Sequence, residues 1–249
     1  MMDQNYSNKI VSLHLERCGL SNCPHQSICY LRNRKDEKRI IDIDIEYFLK
    51  KGYRVFDAVC NTISNTKLNL LIKYPNYNLT MSYSLFKQYV FSNKHIDQIQ
   101  VTIYNENQLK ELTDWNKIFL IKDQESLQFF KSHWNIPYKN IHYAIYKEFI
   151  NKNVLEDIIV LTASSNSYNV SFDSCLYQTI RHNKCTYNEN YIDINYDGTV
   201  RKCPYDKEGI YVGDKVEDME KIFDVDMSRS CIYQTIFGEN NEEQRNTDI

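Results

Sequence analysis

Between residues 10 and 161 short β-rich runs alternate with segments of helical spacing, and this alternation limits the chain more than any other feature. Strand, helix, strand in regular succession is the pattern of an α/β fold with a parallel sheet. The spacing predicts six strands: Ile10–Glu16, Arg54–Val59, Tyr77–Tyr83, Gln98–Tyr104, Lys117–Ile121 and Asn140–Tyr146. Helices are predicted over Asp44–Lys51, Asn107–Trp115 and Gln124–Trp134, the last with Leu127, Phe130 and Trp134 at a spacing that covers a sheet. Several strands alternate polar and apolar residues. Ser12, His14 and Glu16 alternate with Val11, Leu13 and Leu15, and Gln98, Gln100 and Thr102 with Ile99, Val101 and Ile103. A sheet buried on both faces would instead read as continuous apolar runs. A barrel whose interior is partly open to a ligand explains a polar face, and a solvated edge strand explains it equally.

After about residue 165 the texture changes. In "NENYIDINYDGTVRKCPY" the run Tyr191–Tyr196 alternates, Asp197-Gly198 supplies a positive-φ turn and Thr199–Lys202 returns as a second strand. Glu217–Phe223 reads as one short helix, and residues 238–249 as a polar, acidic tail expected to be disordered. The expected division is 1–165 for the βα repeats, 166–237 for the hairpin unit and 238–249 for the tail.

The balance of charges, −3 overall with 42% hydrophobic residues, is that of a globular protein without the basic field that nucleic-acid binding needs. The amino terminus has no basic region followed by an apolar core, and no run is long enough to span a membrane. The expectation is a cytoplasmic protein that binds neither nucleic acid nor membrane, so its eight cysteines point to metal or redox chemistry and not to structural disulfides. The Asn78 and Asn169 glycosylation patterns carry no meaning without a secretion signal.

Seven of the cysteines form two groups. Cys18, Cys23 and Cys29, in "CGLSNCPHQSICYL", follow the first strand, at the strand end where α/β folds place their chemistry. Three ligands on one segment leave a fourth position on a metal or cluster open, although His25 could complete a zinc site. The second group is Cys175, Cys185, Cys203 and Cys231, enough thiolates for zinc or an iron–sulfur cluster. Paired C-x₂-C knuckles, common in zinc ribbons, are absent from the sequence, and unligated core cysteine is a competing reading. Cys60, apart from both groups, reads as a core residue of the second strand.

The order of strand, cysteine segment, βα repeats and cysteine-bearing hairpin resembles the radical S-adenosylmethionine superfamily with a carboxy-terminal SPASM or twitch extension. The extension carries the better likeness. "DSCLYQTIRHNKCTYNENYIDINYDGTVRKCPYDKEGIYVGDKVEDMEKIF" is similar to the family's cysteine, spacer, cysteine, strand, Asp-Gly turn, strand ending in Cys-Pro, glycine step and helix, with Asp214 where Asn is frequent. "LHLERCGLSNCPHQSICYL" is similar to the family's catalytic strand and loop, but its C-x₄-C-x₅-C spacing departs from C-x₃-C-x₂-C. "FDAVCNTISN" stands where the family has Gly-Gly-Glu to hold the methionine end of the cofactor.

The resemblance implies a partial (β/α)₆ barrel followed by a small SPASM/twitch-like domain. It implies that Cys18, Cys23 and Cys29 ligate a [4Fe–4S] cluster with S-adenosylmethionine, and that the second group holds an auxiliary cluster, giving one or two clusters. The implied activity is modification of a ribosomally made peptide through a 5′-deoxyadenosyl radical. The alternative is a catalytically degenerate relative that recognises a peptide or serves as scaffold beside a partner maturase; a zinc-binding structural protein is a third reading. His14, Glu16, Gln100, Thr102, His142, Tyr143 and Tyr146 could line the barrel, or belong to a satisfied interior network. The twenty tyrosines could stack a peptide or a nucleobase, or simply reflect composition.

Overall fold

A computed structural model describes residues 8–15, 43–134, 140–145, 149, 151–163, 171–172, 190–195, 197–203, 209–213 and 215–225. In chain order the elements are β1 (Ile10–His14), α1 (Ile45–Lys50), β2 (Arg54–Val59), α2 (Asn65–Lys73), β3 (Tyr77–Ser82), α3 (Tyr83–Phe86), a 3₁₀ helix (Asn93–Gln98) and β4 (Ile99–Ile103). They continue as α4 (Glu106–Glu111), β5 (Asn116–Ile121), α5 (Gln124–His133), β6 (Ile141–Ile145), α6 (Lys152–Ala163) and β7 (Ser171–Phe172). The last are β8 (Tyr191–Asn195), β9 (Thr199–Arg201), β10 (Ile210–Tyr211), α7 (Val216–Glu220) and a 3₁₀ helix (Lys221–Asp224).

All six predicted strands form, within two residues at each end, as neighbours in one α/β sheet of order β10-β9-β8-β1-β2-β3-β4-β5-β6-β7. β1 to β7 are parallel throughout, as helical crossovers require. The hairpin read from Asp197-Gly198 also forms, with Gly198 at φ +82° donating its N–H to the Asn195 carbonyl at 3.0 Å. Its first strand does more than pair with the second: β8 runs parallel to β1 from Ile10↔Tyr191 to His14↔Asn195, and so continues the sheet.

Helix starts follow local chemistry. Ser64, Ser82 and Asn105 each accept a backbone N–H of the first turn, and Asp123 and Ser126 form a capping box at α5. α4 stops at Glu111, short of the predicted Trp115. Its chain turns at Leu112, and the buried Lys117 ammonium takes the carbonyls of Leu112, Thr113 and Trp115 at 2.7, 3.2 and 2.7 Å. Burial pushes Lys117 down to about 8 from 10.5. Gln98 is corrected from the polar strand face to the preceding 3₁₀ helix, where its amide donates to the carbonyls of Leu71, Tyr74 and Tyr77.

One apolar core lies on the helix-covered face. Val11, Leu13, Leu79, Val101, Phe119 and Tyr143 from the strands meet Phe48, Leu71, Leu109, Leu127, Phe130 and Leu155 from the helices. Ile192, Ile194, Val216, Met219 and Phe223 of the carboxy-terminal segment belong to that same core. The cysteine Cys60, directly after β2, is buried, as read.

Glu220 of α7 fastens this segment to the first βα unit. It accepts hydrogen bonds from Tyr47 and Lys51, each at 2.6 Å, and from the Tyr53 hydroxyl. Tyr53 packs edge-on against Phe223, and Lys202 donates to the Phe223 carbonyl at 2.7 Å. Burial would raise the Glu220 carboxyl, but the bonds from Lys51, Tyr47 and Tyr53 outweigh it and hold the group at about 2 instead of 4.5. A folded-state value below the unfolded one makes the contribution complete above about pH 4.5 and removes it as pH falls toward 2. Glu220→Gln is expected to lose about 1.5–3 kcal/mol at pH 7, the range for hydrogen bonds to a charged group. Urea unfolding of both proteins should show that difference shrinking between pH 4.5 and pH 2; a pH-independent difference would count against the clasp.

Candidate functional site

Side-chain alternation decides what faces away from the core. On β1 to β6 the odd-numbered residues turn to the helix-covered core, all apolar except Asp57, paired with Lys67 at 2.9 Å, and Lys117, leaving Ser12, His14, Phe56, Thr80, Gln100 and His142 on the opposite face. These residues, drawn from strands on both sides of the sheet's middle, line one hollow of about 490 Å³. Its volume lies within the roughly 300–1,000 Å³ of small-molecule sites. The polar face read from β1 and β4 is thus an interior surface of a curved sheet.

The register of β8 against β1 brings a buried ion cluster to one edge of the hollow. Asp193, opposite Ser12, meets His14 Nε2 through Oδ1 at 3.0 Å and the Arg201 guanidinium through Oδ2. Ser12 Oγ lies 3.3 Å from the same imidazole nitrogen, and Arg201 also reaches Asn195 Oδ1 at 3.4 Å. Asp193 and Arg201 are almost wholly excluded from solvent. Burial raises the Asp193 carboxyl, but Arg201 and His14 together bring it down to about 2, so it stays ionised. Tyr191, beside them, is pushed well above the ordinary tyrosine value by burial and by Asp193. The turn that holds this arrangement is cross-tied: Thr199 donates its N–H and its hydroxyl to Asp197 at 3.0 and 2.6 Å, and Asn195 donates to the Thr199 hydroxyl at 3.0 Å.

Opposite the cluster, the described lining consists of hydroxyl and amide side chains, His142, and Lys117, whose ammonium is bound by backbone carbonyls. Thr80, Gln100, Asn116 and Asn140 stand side by side on β3, β4, β5 and just before β6, at one level of the sheet. Thr80 donates to Gln100 Oε1 at 3.4 Å, while the Asn116 and Asn140 amides donate to the carbonyls of Ile96 and Asp114.

Of the residues read from sequence, His14, Gln100 and His142 face the hollow, and Thr102 is buried on the same face of β4. Tyr143 is corrected to the core, edge-on to Phe130. Glu16, His25, Tyr146 and Asp214 lie outside the described residues, as do Cys18, Cys23, Cys29, Cys175, Cys185 and Cys231 and the tail. Cys203 is described and half-buried. Because Arg201 pairs with Asp193, Cys203 follows toward the amino-terminal end of β1, whereas Cys18 follows His14 by four residues at the other end. At about 3.3 Å per residue the ends of this five-residue strand are roughly 13 Å apart. Among the described residues no group of three or more His, Cys, Asp or Glu is placed to hold a metal ion, and no helix is long and apolar enough to cross a membrane.

Sequence reasoning missed Asp193, Arg201, Thr80, Asn116 and Asn140. Asp193 and Asn195 do alternate with Ile192 and Ile194, but nothing local announces that β8 lies against β1.

No family model matches this chain, and no curated protein does. Among solved structures, that of Streptococcus suis SuiB bound to precursor peptide SuiA is similar over 89% of this chain and 68% of that chain, at 12% identity and a TM-score of 0.49.

Asp193→Asn should be strongly destabilising, by about 3–5 kcal/mol in urea unfolding, because it leaves Arg201 buried without its counter-charge. Adding Arg201→Met to that variant should recover a large part of the loss. No recovery in the double variant would mean that the carboxylate acts through something other than this pair.

Proposed function

We propose that this chain is a radical S-adenosylmethionine-like iron–sulfur protein of the cytoplasm that modifies a ribosomally made peptide. The observation that carries the reading is the position of β1. It lies inside a parallel βα sheet, lends Ser12 and His14 to a ligand-sized hollow, and leads within four residues to Cys18. The hairpin that bears Cys203 pairs alongside it. The order of the described strands and hairpin supports the reading.

The donor set fits the implied group. Three thiolates from Cys18, Cys23 and Cys29 suit a [4Fe–4S] cluster with one open iron, and Cys175, Cys185, Cys203 and Cys231 suit an auxiliary cluster. With S-adenosylmethionine bound, such a cluster supplies hydrogen-atom abstraction, chemistry that belongs to the cofactor. The chain's own contribution is the hollow, which would hold and orient a substrate and keep water from it. A division into a barrel over 1–165 and a SPASM/twitch-like unit over 166–237 belongs to the same proposal.

A second reading is favoured by one feature. Where the family carries Gly-Gly-Glu, β2 leads into buried Cys60, and Ser64 then caps α2. On this reading the chain keeps the fold and the auxiliary cluster and presents a peptide to a partner maturase.

Anaerobic reconstitution separates the two. The enzyme should hold about eight irons, two clusters of four, and release 5′-deoxyadenosine with dithionite and S-adenosylmethionine. Replacing Cys18, Cys23 and Cys29 with Ala should remove about half the iron and all of the product. About four irons without product, unchanged in the triple variant, would select the partner role, and a protein without iron or sulfide would overturn both.

A further inference from the structure

The hollow is unusual in how its charges are disposed. At one edge His14 meets the Asp193 carboxylate, which Arg201 also pairs. The cation of Lys117, next to Asn116, is directed to the carbonyls of Leu112, Thr113 and Trp115. The remaining polar lining is Ser12, the His142 imidazole and the row Thr80, Gln100, Asn116 and Asn140, and the row itself carries hydroxyl and amide groups only. Gln100 and Asn116 are half-exposed although both are flanked by paired strands, so their exposure is to the hollow.

The row has unused hydrogen-bonding capacity of both kinds. Gln100 accepts from Thr80 through Oε1, and its Nε2 keeps two donors. Asn116 and Asn140 spend an Nδ2 hydrogen on backbone carbonyls and keep Oδ1 as acceptor. Register partners across adjacent strands lie about 4.8 Å apart, which sets an amide donor beside amide acceptors. A carboxamide, with one carbonyl and one N–H edge, is the complementary group. Against this row an ionised side chain would lose its hydration with no opposite charge from the row to meet it.

We infer that the amide row is a specificity subsite for an uncharged, carboxamide- or hydroxyl-bearing side chain of the bound peptide, with Gln100 and Asn116 as the selecting residues. This rests on the peptide reading above for the nature of the ligand. It adds which residue of a peptide the hollow accepts, and why an acidic or basic one is rejected.

The test is titration of the full chain with three blocked tripeptides, acetyl-Ala-X-Ala-amide, where X is Asn, Asp or Lys, read by calorimetry. The Asn peptide should bind at least about tenfold more tightly than either charged one, a difference of about 1.4 kcal/mol. Gln100→Leu should abolish the preference. The near-isosteric Gln100→Glu, which keeps the acceptor for Thr80, should shift it toward the Lys peptide and tests the idea even if the leucine variant does not fold. Equal binding of all three peptides, no binding of any, or a preference unchanged in Gln100→Glu would overturn the inference. None of these readouts requires a cluster or S-adenosylmethionine. Deoxyadenosine release without peptide preference would defeat this inference alone, and peptide preference without iron would defeat the radical reading alone.

Discussion

The pairing of β8 with β1 is the contact on which the arrangement depends. It joins residues from the two ends of the described chain into one parallel ladder, and it alone sets Asp193 opposite Ser12 and beside His14. A slip of one residue in this ladder would turn Asp193 and Asn195 toward the apolar core and Ile192 and Ile194 toward the hollow. The ion cluster and the core thus enforce the same register from opposite faces of the strand. Glu220 adds a third tie at the helical layer, to Tyr47, Lys51 and Tyr53, so the carboxy-terminal segment is fixed to the first βα unit through both a sheet and a helix.

The fold was largely legible because its signals are local. Alternation in β1 and β4 and the Asp197-Gly198 turn each act within a few residues of where they stand. Even the face of Gln100 and His142 could be read, since strand parity needs no knowledge of neighbours. What escaped was whatever depends on a partner far away in sequence. Gln98 looked like one more polar strand position, but the carbonyls of Leu71 in α2, Tyr74 after it and Tyr77 at the start of β3 claim its amide and hold it in the 3₁₀ helix. Lys117 looked like an ordinary strand start, yet its ammonium ends α4 early.

The candidate site divides along the same line. Its neutral half, Thr80 to Asn140, is built from neighbouring strands of a regular parallel sheet, and could have been assembled from strand order alone. Its charged half required the register of β8, which the hairpin sequence does not encode by itself. The cysteine groups add a further consequence of topology. Since β9 runs back along β8, Cys203 is carried to the end of β1 opposite the one that leads to Cys18.

The contrast between the two halves follows from the cost of burying charge. At an effective dielectric of about 20, a unit charge pair 4 Å apart gains roughly 4 kcal/mol, and Asp193 has Arg201 and His14 at hydrogen-bond range. That gain offsets the loss of hydration only while the set is complete, which is why removing one member should be costly and removing a matched pair less so. A closed set of this kind has little field left to offer a ligand. The selective power of the hollow then passes to groups that were never charged, the amides of Gln100 and Asn116, whose hydrogen bonds are weaker but are directed and open toward the space they line.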